Sequence, residues 1–339
     1  MATMKAFVVK GDEAALEEMA VPSPKGSDCL VRVLIAGICN TDLEIMKGYM
    51  GFAGVVGHEF VGVVEKAPAG HEALVGKRVV GEINLICRDV ANCKTCAFGM
   101  DFARNHCPNR TVLGILAKAG TYAEMLTLPV ENLLVVPDNV STENAAFAEP
   151  LAAAFRIVEQ GLIKGATDKV AVVGDGKLGI LIAEVVGRHA AAAGGPKPVL
   201  FGRHERKMAL VSKEAAIEPA MADAALPTHA HGFDVVVDAT GSPGGLDLSR
   251  QLLRPLGTLV LKSTCAAGAD FNTAPFVIDE LKVVGSRCGP FQPALDLLAS
   301  GLDLTPLIDA TFPFSEAKEA VAKAGTKGSM KVQLRVSQG

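Results

Sequence analysis

Sulfur, nitrogen and oxygen donors recur in the first half of this 339-residue chain at Cys39, at the adjacent pair His58 and Glu59, and at Glu149. Thiolate, imidazole and carboxylate together suit a borderline-soft cation such as Zn2+, and a set of three or four protein ligands leaves a position for water or substrate. Downstream, Gly174-Asp175-Gly176-Lys177-Leu178-Gly179 has the spacing of a dinucleotide fingerprint. A Lewis acid beside a redox cofactor implies hydride exchange with an alcohol or a carbonyl.

Each residue alone has a simpler explanation: Cys39 as a small core side chain, His58 as a buried polar group satisfied by backbone, Glu149 as an acid at a helix start. Their combination with the fingerprint favours chemistry. Thr41, close behind Cys39, has a hydroxyl suited to begin a proton relay, and Asp42 is placed to orient the His58 ring from outside the metal shell.

Such side chains need loops at strand ends to present them, and the surrounding pattern supplies them. From Lys5 to about Val136 short β-rich runs are broken by Gly and Pro, with strands expected at about 30–35, 54–64, 78–80 and 133–136, which predicts a barrel-like β domain. After Asn144 the texture changes to Ala-rich helical stretches between wholly apolar runs at about 170–173, 198–201, 235–237, 258–261 and 283–284. That alternation marks a parallel sheet covered on both faces. A helix at about 293–300, a β-like run at 310–314, a helix from Ser315 and a strand at 331–336 are expected to return to the first domain. The expected domains are thus 1–143 with 290–339, and 144–289.

The fingerprint stands between an apolar strand and a helix, the context in which Gly174, Gly176 and Gly179 let the backbone approach a pyrophosphate, with Lys177 and Leu178 opening the helix. After the second strand, an NAD enzyme offers Asp or Glu to the ribose hydroxyls, but this chain offers Gly202-Arg203-His204. Loss of the acid removes a repulsion against a 2′-phosphate and Arg203 supplies a planar cation, so NADP is expected over NAD. Thr240 and Gly241, and Lys262 and Ser263 before Thr264, fall at later strand ends, where an open α/β sheet receives its ligand.

In chain order, Gly37-Ile38-Cys39-Asn40-Thr41-Asp42, Gly57-His58-Glu59-Phe60-Val61-Gly62, Ala148-Glu149-Pro150-Leu151 and the Gly174–Gly179 fingerprint resemble the zinc-dependent medium-chain alcohol dehydrogenase family along essentially the whole chain. The resemblance implies α/β plus β architecture: a GroES-like β-barrel catalytic domain with a Rossmann doubly wound parallel-sheet cofactor domain. It also implies Cys39 and His58 as zinc ligands, Glu59 and Glu149 as carboxylates binding zinc directly or through water, and Lys331 as the basic residue near the pyrophosphate. Glu149-Pro150-Leu151 is similar to the polyol, sugar and threonine dehydrogenase branch, and the family's usual assembly implies a homo-oligomer formed through sheet edges of the cofactor domain.

Four further cysteines, Cys87, Cys93, Cys96 and Cys107, could close a tetrahedral structural zinc site. Their gaps of five, two and ten residues are longer on both sides of Cys93-Cys96 than in the family lobe, which puts Cys87 in question and makes His106 an alternative ligand. Substrate contacts are expected around Tyr49, Phe52, Ile115 and Phe291.

A net charge of -4 gives no basic face for nucleic acid, no apolar run is long enough to span a bilayer, and the opening residues lack a secretory apolar core. A cytoplasmic enzyme acting on a small-molecule alcohol or carbonyl is expected. The alternatives are a zinc-free reductase of the same fold, acting on activated double bonds or quinones, and a noncatalytic cofactor-binding relative.

Overall fold

The computed structural model of the chain describes residues 2–11, 13–48, 51–87, 93, 105–263 and 272–338. Its contacts divide it into two units, Met1–Glu149 with Phe291–Gly339, and Pro150–Pro290.

In the first unit the long strand Asp28–Ile38 is almost wholly buried, as its apolar run requires, and three other strands pair with it antiparallel. These are Glu59–Lys66, Met125–Pro129 and Lys331–Arg335. The first and last set the chemistry, because Glu59 and Gln333 both lie opposite Gly37. Register therefore brings Cys39, just beyond the central strand, to the same end of the sheet as Glu59 and Lys331. In the C-terminal segment Ile308–Pro313 pairs in parallel with Lys331–Arg335, with the helix Ala317–Ala324 between them. Asn144 fastens this segment, its side chain bonding the Leu302 carbonyl at 2.7 Å and the Leu304 N–H at 2.9 Å.

The second unit carries a six-stranded parallel sheet. Across the sheet its strands are Glu218–Met221, Val199–Gly202, Val170–Val173, Phe233–Asp238, Leu253–Leu261 and Lys282–Gly285, the doubly wound order 3-2-1-4-5-6. Val170–Val173 is buried at every position, which explains why it reads as a continuous apolar run, and each buried valine contributes about 1.5–3 kcal/mol.

Two strands escape a reading of residue types. Glu13–Ala20, sequence EAALEEMA, consists of helix formers, yet it pairs residue for residue with Thr3–Lys10. Cross-strand hydrogen bonding overrides propensity there. Glu218–Met221 contains Pro219 and is tolerated because it is the sheet's outermost strand. The expected strand at 54–64 is instead two, Gly54–Val55 and Glu59–Lys66, and the break holds Gly57 and His58.

Candidate active site

Cys39 occupies the N-cap of the short helix Asn40–Ile45, and Asp42 reaches back to accept its N–H at 2.9 Å. This is half of a capping box, in which an acid at the third helical position satisfies an orphan backbone donor. It also turns Asp42 inward. Asp42 is fully buried, with Oδ1 3.0 Å from His58 Nδ1, and Oδ2 accepts the Tyr122 hydroxyl at 2.8 Å. Burial would raise the Asp42 carboxyl, but His58 and these hydrogen bonds hold it below the usual carboxylate range. Burial likewise pulls His58 down, and the Asp42 and Cys39 charges outweigh it, leaving the imidazole well above its ordinary range.

His58 reaches this place through Gly57, whose φ of +93° suits glycine and whose missing side chain makes room for Tyr122. A Cβ at Gly57 would stand 2.3 Å from the Tyr122 ring. The result is that donor atoms of Cys39, His58 and Glu59 all lie within 4.8 Å of one another. Asp42 holds His58 at Nδ1, so Nε2 is the nitrogen left for a metal, the outer-shell arrangement that metal-bound histidines favour. Thiolate, imidazole and carboxylate this close fit a zinc ion. Thr41 Oγ1 lies 3.7 Å from Cys39 Sγ.

Glu149 is the second residue of the helix Ala148–Glu159 and half-buried; it is not in the three-residue cluster. Burial pushes its carboxyl up to about 7; Glu59 and Glu82 push the same way while His58 and Lys331 oppose. Lys331 is buried, its Nζ 2.5 Å from Glu59 Oε2 and 5.9 Å from the centre of the Phe147 ring. Burial would lower this amine, but Glu59 and then Cys39 outweigh it and raise it.

Cys87, Cys93 and Cys107 also converge within 4.8 Å, with Cys93 and Cys107 sulfurs 3.8 Å apart and the Cys87 N–H directed at Cys107 Sγ at 3.5 Å. The long first gap thus does not keep Cys87 away. His106 is exposed and outside this cluster; Cys96, with Tyr49 and Thr264, lies outside the described residues. Phe52 and Ile115 are half-buried and Phe291 is buried.

In the second unit, Gly174 follows the strand Val170–Val173 and Gly176 caps the helix Lys177–Ala192, which opens with Lys177 and Leu178. Gly179 is a close approach: a Cβ there would lie 1.9 Å from the Gly174 carbonyl oxygen. Gly202 ends the next strand, followed by exposed Arg203 and His204. Thr240 and Gly241 follow the strand Phe233–Asp238, with Thr240 Oγ1 donating to Asp238 at 2.7 Å. Lys262, 3.3 Å from Ser286 Oγ, and Ser263 follow the strand Leu253–Leu261. All these groups line the carboxyl ends of neighbouring strands.

Two contributors escape sequence reasoning. Tyr122 anchors Asp42 from 80 residues away, and no local signal announces such a contact. Asp175 fills a nominally free fingerprint position, yet its carboxylate bonds both Arg203 and His204.

A GroES-like β domain, a Rossmann sheet and a clustered donor set define an alcohol dehydrogenase-type oxidoreductase. Residues 25–138 match the alcohol dehydrogenase GroES-like domain and residues 183–300 the zinc-binding dehydrogenase domain. The chain is 31% identical to an L-threonine 3-dehydrogenase of Saccharopolyspora erythraea, over 96% of this chain and 98% of that one. It is 30% identical to an erythritol/L-threitol dehydrogenase of Mycolicibacterium smegmatis, over 98% and 97%. A solved zinc-binding dehydrogenase of Sinorhizobium meliloti 1021, bound to NADP, superposes with a TM-score of 0.84 at 26% identity, over 99% and 100%. The chain belongs to the zinc-dependent medium-chain alcohol dehydrogenase family, in its polyol-dehydrogenase-like branch. No helix among the described residues is long and apolar enough to cross a membrane.

Proposed function

We propose that this protein is a zinc-dependent, NADP-preferring dehydrogenase that interconverts a secondary alcohol or polyol hydroxyl with its ketone or aldehyde. The observation that carries this is the meeting of Cys39, His58 and Glu59 donors within 4.8 Å. Cys39 and His58 hold the zinc, and Glu59 and Glu149 supply carboxylates that bind it directly or through water. When bound, zinc supplies Lewis-acid polarisation of a substrate oxygen, and the nicotinamide exchanges the hydride. Asp42 and Tyr122 fix the His58 ring, and Thr41 receives the hydroxyl proton at Oγ1 and passes it outward. Lys331 holds Glu59 by its charge.

The first unit is the catalytic domain and the second the cofactor domain, where Gly174, Gly176, Lys177, Leu178 and Gly179 receive the pyrophosphate. Gly202, Arg203 and His204 receive the adenosine ribose; Thr240, Gly241, Lys262 and Ser263 line the same strand ends. Cys87, Cys93 and Cys107, with Cys96, hold a structural zinc. The expected homo-oligomer draws support from the edge strand Lys282–Gly285, whose Val283 is exposed, and from exposed Val277 and Ile278 in the helix Ala274–Ile278 before it; a cytoplasmic location stays part of the proposal. A screen of alcohols, polyols and aldehydes with NADP(H) and NAD(H) tests the assignment: turnover of a vicinal diol or polyol with NADP is expected. Efficiency with NAD equal to or above that with NADP would defeat the cofactor preference.

A further inference from the structure

The turn after Val199–Gly202 holds more than an arginine. Asp175, second residue of the fingerprint, is buried and directs its carboxylate to this turn. Its Oδ2 accepts the Arg203 N–H at 2.8 Å and the His204 N–H at 2.6 Å, and lies 2.9 Å from His204 Nδ1. Burial would raise the Asp175 carboxyl, but the His204 side chain and the two backbone N–H groups hold it below the ordinary carboxylate range, so it only accepts. The hydrogen between the two side chains therefore sits on Nδ1. The His204 side chain is 53% exposed, and among the described residues its Nε2 meets no protein partner.

Gly202 completes the arrangement. A Cβ at that position would stand 2.8 Å from Asp175 Cβ, 2.9 Å from Asp175 Oδ2 and 2.6 Å from Met208 Sδ. The space in which an acid at 202 would begin is already filled by Asp175. Its Oδ2 is committed to the turn. Two basic side chains, Arg203 and His204, are thus presented outward on consecutive residues whose backbone is pinned from beneath.

We propose that His204 is a second binding group for the 2′-phosphate of NADP, beside Arg203, and that Asp175 is the positioning residue for both. The proposal rests on the NADP preference stated above. A guanidinium and an imidazole ring on adjacent residues approach a phosphate from two directions, the ring donating from Nε2 when that nitrogen carries a proton, and a turn fixed in advance reduces the ordering that binding requires. The acid that excludes a 2′-phosphate in NAD enzymes is here replaced by one turned inward, where it orients a cation.

The test is calorimetric binding of adenosine 2′,5′-bisphosphate and adenosine 5′-monophosphate, probes differing by the 2′-phosphate, to the full chain and to R203A, H204A, D175A and D175N. Wild type should prefer the bisphosphate. H204A and D175A should each weaken the bisphosphate about tenfold or more beyond any weakening of the monophosphate, and D175N, which keeps an acceptor for the two backbone N–H groups, should retain part of the preference. Equal weakening of both probes by D175A would reduce Asp175 to a structural role and overturn its part. If D175A does not fold, H204A still decides, because its side chain lies at the surface. Preference lost in R203A but kept in H204A and D175A would overturn this proposal and leave the NADP preference standing. A wild type that binds both probes alike would defeat that preference, and the proposal with it.

Discussion

Asp42 gathers His58, Tyr122 and the Cys39 N–H onto one buried carboxylate, so its removal should loosen the metal site without touching a ligand. Asp42→Ala is expected to lower zinc affinity about 10–100-fold, read by chelator competition; an unchanged affinity would deny it that role. Glu149 makes a second expectation through pH. Its folded-state value, about 7, lies above the ordinary 4.5, so in chelator-treated protein its contribution to stability is complete below about 4.5 and disappears as pH rises through about 7. Thermal unfolding of the metal-free wild type should therefore fall progressively behind that of Glu149→Gln between about pH 5 and about pH 8, whereas parallel curves would contradict it. Cys39, His58, Glu59 and Glu149 were readable as donors because each carries its chemistry in its residue type. Tyr122 was not, because a tyrosine is informative only through the distant aspartate it meets.

Strand register is what converts these residue types into a site. Antiparallel pairing of the Lys331 strand with Asp28–Ile38 brings this lysine to Glu59. Both members are almost inaccessible, with side chains 4% and 1% exposed. Removing one leaves a buried charge alone, so Lys331→Met should destabilise the metal-free protein by about 3–5 kcal/mol in denaturant unfolding. The loss should be smaller with zinc bound, since a second cation then faces Glu59. In the other unit, Gly179→Ala would drive a methyl group into the Gly174 carbonyl. We expect it to cost at least about 1–3 kcal/mol and to weaken nucleotide binding, and unaltered unfolding and affinity would refute the close packing. The parallel strands were legible because burial on both faces leaves only apolar residues. Glu13–Ala20 was not, because its stability comes from pairing with Thr3–Lys10 and not from its own residues.

For the molecule as a whole, the order of motifs along the chain carried the architecture, and two separate units now bear them. Wholly apolar strands between helices announced the doubly wound sheet. The substrate stayed unread because pocket residues come from scattered loops whose arrangement no spacing encodes. The claim on which the rest depends is that hydride transfer requires zinc at Cys39 and His58. Its most direct measurement is dehydrogenase activity on a polyol or secondary alcohol after exhaustive chelation, with the metal content of the same samples determined before and after zinc is restored. Activity should vanish with the metal bound at Cys39 and His58 and return with zinc, in wild type but not in Cys39→Ser. Full turnover by protein free of zinc would contradict the assignment.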